Sequence, residues 1–128
     1  MLISLKWNFL FVHVPKTAGS SLHNLLAPHA QKKNRTLPRR IISHLPLYED
    51  PSKAYFRVHT KALDFQKKIS PETFARLHKF AAVRNPYDQM VSYFRFMQTN
   101  TGSKQYAEAQ NWCFADAVSY FERKNRRK

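Results

Sequence analysis

Phe9-Leu10-Phe11-Val12-His13-Val14-Pro15-Lys16-Thr17-Ala18-Gly19-Ser20-Ser21-Leu22 is the stretch that decides the fold. Residues 9 to 12 form a short unbroken apolar run, rich in aromatic and branched side chains, the pattern of a strand covered on both faces. Pro15 ends it. Gly19 lets the backbone approach a ligand closely, and Ser20 and Ser21 suit a helix N-terminus. The first amides of a helix lack intrahelical partners and point outward at the positive end of its dipole. With Lys16 beside them they make a site for a phosphate or sulfate group. The lysine precedes the glycine, so this is not the GxxxxGK[ST] spacing of an ordinary P-loop.

Downstream, Ser20 to about Leu26 reads as a short helix with Leu22, Leu25 and Leu26 on one face, stopped by Pro28. Residues 29 to 53 are polar, basic and broken by Pro38, Pro46 and Pro51, an excursion of little regular structure pinned to the core by Ile41 and Ile42. Ala54-Tyr55-Phe56-Arg57-Val58-His59 reads as a second strand, and one or two helical turns follow over 61 to 69. Ser70-Pro71-Glu72 is a helix start: a serine cap, proline at the first helical position, an acid in the first turn. That helix carries Phe74 and Leu77 inward and ends near His78. Phe80 to Val83 is another short buried strand, broken by Arg84-Asn85-Pro86. A helix from Pro86 to about Met97 aligns Met90, Val91, Phe94 and Met97. A last helix, roughly 104 to 124, offers Trp112, Ala115, Val118 and Phe121 at helical spacing. Strands alternating with helices predict an α/β fold: a mostly parallel sheet flanked by helices in three layers.

At 128 residues the chain makes one domain, 1–128, large enough for a real core. Its 43% hydrophobic and 14% aromatic content excludes a disordered chain. Lysine and arginine total 22 against 8 acidic residues, and the net charge of +14 implies polyanionic partners. The charge is clustered at Lys32, Lys33, Arg35, Arg39 and Arg40, and again at Arg123, Lys124, Arg126, Arg127 and Lys128. Neither run is interleaved with aromatics as a single-strand nucleic-acid groove is, so a solvated loop and a frayed terminus are the expected settings. Cys113 is the only cysteine, which excludes an intrachain disulfide and a cysteine metal cluster. Between Trp112 and Phe114 it reads as a packed small hydrophobe. No apolar run approaches the ~20 residues of a membrane span, and Lys6, Asn8 and His13 interrupt any signal-peptide pattern.

Lys79-Phe80-Ala81-Ala82-Val83-Arg84-Asn85-Pro86-Tyr87-Asp88-Gln89-Met90-Val91-Ser92-Tyr93-Phe94 holds the second motif. Arg84 falls at the carboxyl end of a strand and Ser92 about two turns into the next helix, so both can face one phosphate. Arginine supplies a planar fork matched to that group, and serine a neutral donor. The two stretches together resemble the sulfotransferases that use 3′-phosphoadenosine-5′-phosphosulfate (PAPS), specifically the carbohydrate branch. The first resembles their 5′-phosphosulfate loop, P-K-[TA]-[AG]-[GS]-[TS]-S. The second resembles their 3′-phosphate motif, F-x-x-V-R-[ND]-P with a later serine. The resemblance covers about residues 9 to 98 and implies a P-loop-like sulfotransferase architecture, PAPS as donor, a hydroxyl acceptor on a carbohydrate, and no metal. Lys16 would neutralise the leaving oxygen. Thr17, Ala18, Gly19, Ser20 and Ser21 would hold the 5′-phosphate, and Arg84 and Ser92 the 3′-phosphate.

An acceptor hydroxyl must lose its proton, and histidine is the usual base. Of six histidines, His13, His23, His29 and His78 read as structural or surface residues. His59 ends a strand, at the edge where open α/β sheets put ligands. Its context, His59-Thr60-Lys61-Ala62-Leu63, resembles the H-[ST]-x-A segment that carries the family's proposed base. His44 is the alternate. Two features depart from the family pattern. Members are usually longer, so the resemblance implies a short or truncated member lacking the C-terminal part that helps enclose the adenine. Tyr87-Asp88-Gln89 also stands where many members have an aromatic, Asp and Arg. A cytoplasmic setting is expected for a full-length chain, the Golgi lumen for a fragment of a membrane-anchored enzyme. The competing readings are a non-catalytic basic module that binds polyanions or nucleotides, and a P-loop kinase, which the position of the lysine disfavours.

Overall fold

The computed structural model describes residues 1–31, 50–52 and 56–126, with side chains to Arg123. His44, the basic cluster at residues 32 to 40, and Ile41 and Ile42 lie outside the described residues. The described chain forms two compact units, Met1–Val83 and the part from Arg84 onward.

The first unit is built on a three-stranded sheet in the order β1-β2-β3, with β1 at Leu2–Ser4, β2 at Phe9–Val12 and β3 at His78–Ala81. β2 and β3 run parallel, with Leu10 opposite Lys79 and Phe11 opposite Phe80. β1 is antiparallel to β2, Ile3 facing Leu10 and Leu2 facing Phe11. The sheet is therefore mixed rather than mostly parallel. A turn over residues 5 to 8 joins β1 to β2, and Asn8 enters the left-handed region (φ 51) that asparagine tolerates better than most residues.

Leu10 and Phe11 are both fully buried, so β2 is covered on both faces, as its unbroken apolar run requires. On one face Ile3 and Leu10 pack with Met1, Phe56, Phe65, Ile69 and Leu77. On the other, the Phe80 ring lies 5.6 Å from Phe11 and 6.0 Å from Phe9. β3 is otherwise exposed and begins earlier than its apolar run suggests, because its register follows β2 and not its own side chains. Val83, expected inside, is 88% exposed.

α1 spans Gly19–Leu26, and a 3₁₀ turn at Ala27–His29 accommodates Pro28. Leu22 and Leu26 are half-buried, whereas Leu25 faces solvent. α2 is Ala62–Gln66, and α3 is Pro71–Arg76, capped by the Ser70 hydroxyl accepting the Thr73 amide at 3.3 Å. Lys79 closes the other end of α3, its Nζ donating to the Phe74 carbonyl at 2.7 Å while lying 4.6 Å from the Phe74 ring centroid. Residues 56 to 59 are not a strand. Phe56 is buried against Phe65, ring centroids 4.6 Å apart, and the chain then turns, with the Thr60 amide on the Arg57 carbonyl. The alternation of Phe56 and Val58 imitates a strand, but Val58 is 37% exposed and only Phe56 anchors the segment.

In the second unit, α4 runs from Pro86 to Thr99, with the Asn85 side chain accepting the Tyr87 amide at 3.0 Å. The expected last helix is two: α5 at Tyr106–Ala109 and α6 at Phe114–Arg126. Side chains hold the break open. Gln98 Nε2 donates to the Ala109 and Trp112 carbonyls, and Gln110 Nε2 donates to the Gln98 carbonyl. α6 then restarts with Asp116 reaching back to accept the Cys113 amide at 2.8 Å. That bond holds the Asp116 carboxyl below the usual carboxylate range. Met97, Ala109 and Ala117 form the core here, with Phe94, Trp112, Tyr120 and Phe121 packed around them. Ala115, expected inward, is exposed and Ala117 takes its place. Cys113 is exposed rather than packed.

Candidate active site

β2 leaves the sheet at Val12, and six residues later the chain is at Ala18, the N-cap of α1. The turn is tight enough to force two non-glycine residues into the left-handed region, Lys16 at φ 64 and Ala18 at φ 59. Pro15 followed by a residue at positive φ is the pattern of a type II turn, whose third position normally takes glycine or asparagine. A lysine there costs on the order of 1–2 kcal/mol in backbone strain. Thr17 is 4% exposed, and its hydroxyl donates to the Val14 carbonyl at 3.0 Å. Its side chain thus braces the loop from inside, and the phosphate contact expected of that hydroxyl is not available in this arrangement.

The N-cap of α1 is Ala18, which has no side chain to offer the orphan amides. The amides of Ser21 and Leu22 are taken by the Ala18 carbonyl at 3.1 and 3.3 Å. Those of Gly19 and Ser20 have no partner among the described residues. Ser20 and Ser21 are exposed and make no capping bond, so their hydroxyls are available to a ligand. The loop therefore presents two amides, two hydroxyls and the Lys16 ammonium at the positive end of a helix, a donor set suited to an oxyanion.

Gly19 is required for a different reason from the one its sequence position suggests. A Cβ built on it would lie 2.2 Å from Cδ2 and 2.3 Å from Nε2 of His13, which is 8% exposed. The His13 ring fills the space where that Cβ would sit. It also meets His23, ring centroids 6.3 Å apart, and His59, edge to face at 4.9 Å. Gly19→Ala is expected to destabilise the protein by about 1–3 kcal/mol, the cost of overpacking. In urea unfolding, a second substitution, His13→Ala, should recover part of that loss. Purely additive effects would show that the ring and the glycine are not coupled.

His59 reaches the loop from the turn that follows Phe56. Its Nδ1 lies 3.3 Å from the His13 carbonyl oxygen. A carbonyl can only accept, so Nδ1 carries the proton in the neutral ring and Nε2 is left with its lone pair. The Thr60 hydroxyl and amide both donate to the Arg57 carbonyl, which fixes the turn on the far side. His59 is exposed. His29 sits on the 3₁₀ turn beside Trp7, and His78 opens β3 instead of closing a helix. No group of three or more candidate metal ligands occurs among the described residues.

In the second unit, Arg84 precedes the Asn85 cap and is exposed, and Ser92 is half-buried seven residues into α4. Neither side chain has a hydrogen-bonding or ionic partner among the described residues. Burial pushes the neighbouring Tyr93 hydroxyl up.

A family model described as the sulfotransferase family matches residues 1–128. The chain belongs to the sulfotransferase family. No curated protein and no solved structure matches it. Membership makes the protein a transferase of sulfuryl groups, and it fits a strand–turn–helix that presents lysine, amides and hydroxyls to an oxyanion. No helix among the described residues of this sulfotransferase is long and apolar enough to cross a membrane.

Sequence reasoning missed two site features. The burial of His13 beneath Gly19 depends on a contact between residues six apart across a turn, which no motif encodes. The Nδ1 bond of His59 joins segments 46 residues apart.

Proposed function

We propose that this sulfotransferase uses PAPS as donor and transfers its sulfuryl group to a hydroxyl of a carbohydrate. The observation that carries the reading is the pairing of two features at the end of β2. A strained lysine turn leaves the Gly19 and Ser20 amides open, and an imidazole is docked on the carbonyl of His13 with Nε2 available. In this reading residues 1–128 are one sulfotransferase domain, of the P-loop-like three-layer kind that the sequence motifs suggest. Lys16, the Gly19 and Ser20 amides, and the Ser20 and Ser21 hydroxyls bind the 5′-phosphosulfate. Arg84 and Ser92 bind the 3′-phosphate. Thr17 and Ala18 contribute through the backbone shape of the loop.

The acceptor oxygen forms a bond to sulfur as the bond from sulfur to the bridging phosphate oxygen breaks. His59 Nε2 takes the acceptor's proton. Lys16 faces the bridging oxygen, which leaves as a phosphate oxygen of 3′-phosphoadenosine-5′-phosphate. By analogy with phosphoryl transfer, charge stabilisation and alignment supply most of the rate.

Calorimetry with 3′-phosphoadenosine-5′-phosphate and with AMP tests the donor assignment. The bisphosphate should bind more tightly, and Arg84→Ala should remove most of the difference, about 1.5–3 kcal/mol for a charge-assisted contact. Equal affinity for the two nucleotides would overturn the assignment. The reading as a non-catalytic polyanion-binding module would then be favoured by the charge alone.

A further inference from the structure

His59 is exposed on a turn, a setting in which a side chain ordinarily samples several rotamers. The backbone around it is fixed. The Thr60 amide and hydroxyl both donate to the Arg57 carbonyl, and the Met1 backbone nitrogen donates to the Val58 carbonyl. Those bonds leave the side-chain torsions of His59 open. Among the described residues, the hydrogen bond and the ring contact that can set them both come from His13. Nδ1 lies 3.3 Å from the His13 carbonyl oxygen, and the two rings meet edge to face at 4.9 Å, with 67° between their planes. A hydrogen bond at the long end of the range fixes one atom but lets a ring swing about the donor–acceptor line. A second ring packed beside it removes that freedom.

His13 can act as such a stop because it is held in turn. It directly follows β2, is 8% exposed, and its ring meets Phe11 at 6.0 Å and His23 at 6.3 Å. The same ring lies directly beneath Gly19, which carries one of the two open amides of the loop. One imidazole therefore touches the anion-facing loop on one side and the exposed histidine on the other.

We infer that His13 is a positioning residue for sulfuryl transfer. Its ring sets the orientation of His59, and with it the distance of Nε2 from the oxyanion loop, while His13 itself stays buried away from the acceptor. The inference rests on the reading of His59 as the base. An in-line displacement tolerates little error in the placement of a reacting group, so loosening His59 costs rate more than nucleotide affinity. The loop depends less on the ring, because the Thr17 hydroxyl braces it on the Val14 carbonyl.

The test reads the His59 ring first and the rate second. Long-range proton–nitrogen spectra of the imidazoles, taken on the whole chain in alkaline buffer, show which nitrogen carries the proton. The parent should show His59 protonated on Nδ1. His13→Ala should lose that preference although the carbonyl of residue 13 remains. Backbone amide spectra report the fold. If His13→Ala does not fold, His13→Asn is read in its place, since it fills the space beneath Gly19 with a planar group shorter than a ring. Turnover from labelled PAPS to chondroitin should fall by about 10–10²-fold, the cost of a misplaced reacting group. Affinity for 3′-phosphoadenosine-5′-phosphate should stay close to the parent's. In a His59→Ala background the same substitution should lower turnover no further, because His13 acts through His59. An unchanged His59 spectrum in the folded variant, equal losses of turnover and nucleotide affinity, or a further loss in the His59→Ala background would each overturn the inference. If the parent transfers nothing to chondroitin, or His59→Ala transfers as fast as the parent, the acceptor or the base reading fails. The spectrum then decides by itself whether His13 holds the ring.

Discussion

Replacing Lys16 by glycine is expected to make the protein more stable and a far poorer catalyst. At φ 64 glycine adopts without strain what lysine adopts at a cost, so unfolding in urea should shift upward by about 1 kcal/mol. Lys16→Ala is the control. It loses the same ammonium but keeps a Cβ in the left-handed region, so the stability difference between the two variants isolates the strain. Transfer should fall in both by roughly 10²–10³, the loss typical when one donor aimed at developing charge is removed. Affinity for the sulfate-free product should fall much less, because a group facing the leaving oxygen acts chiefly in the transition state. Parallel losses of turnover and product affinity would make Lys16 an anchor only.

The second large effect concerns His59. With Nδ1 held on the His13 carbonyl, only Nε2 can take a proton, and only while the ring is neutral. His59→Ala should lower the rate of transfer to a sugar hydroxyl by about 10²–10⁴, the usual contribution of a positioned base. Nucleotide binding should survive, since the contacts proposed for it come from Lys16, the loop amides, Arg84 and Ser92. A variant that transfers as fast as the parent would pass the role to His44 or to water.

Much of this site could be read from the chain because its signals are local. The apolar run of β2, Pro15, the small residues of the loop, and the caps at Ser70 and Asn85 each act over a few residues, and each element forms where those signals put it. What escaped depends on distant partners. β1 is only three residues long, with Lys6 close behind it, and it forms because it pairs with β2. β3 starts at His78 because Phe9 is opposite it, not because His78 favours a sheet. Phe56 to His59 carry the alternation of a strand but pair with no strand among the described residues, so one buried phenylalanine and a turn place the histidine. The tail divides because Gln98 takes carbonyls that a continuous helix would have used.

Beneath the loop, the His13 ring fills the space under Gly19 and the Thr17 hydroxyl is tied to the Val14 carbonyl. An arriving anion thus meets a mould that has already set. The entropy of ordering the turn is lost when the protein folds and not again at each encounter, so less binding energy is spent on arranging the loop. Turnover can then repeat without the loop melting and reforming between one donor and the next.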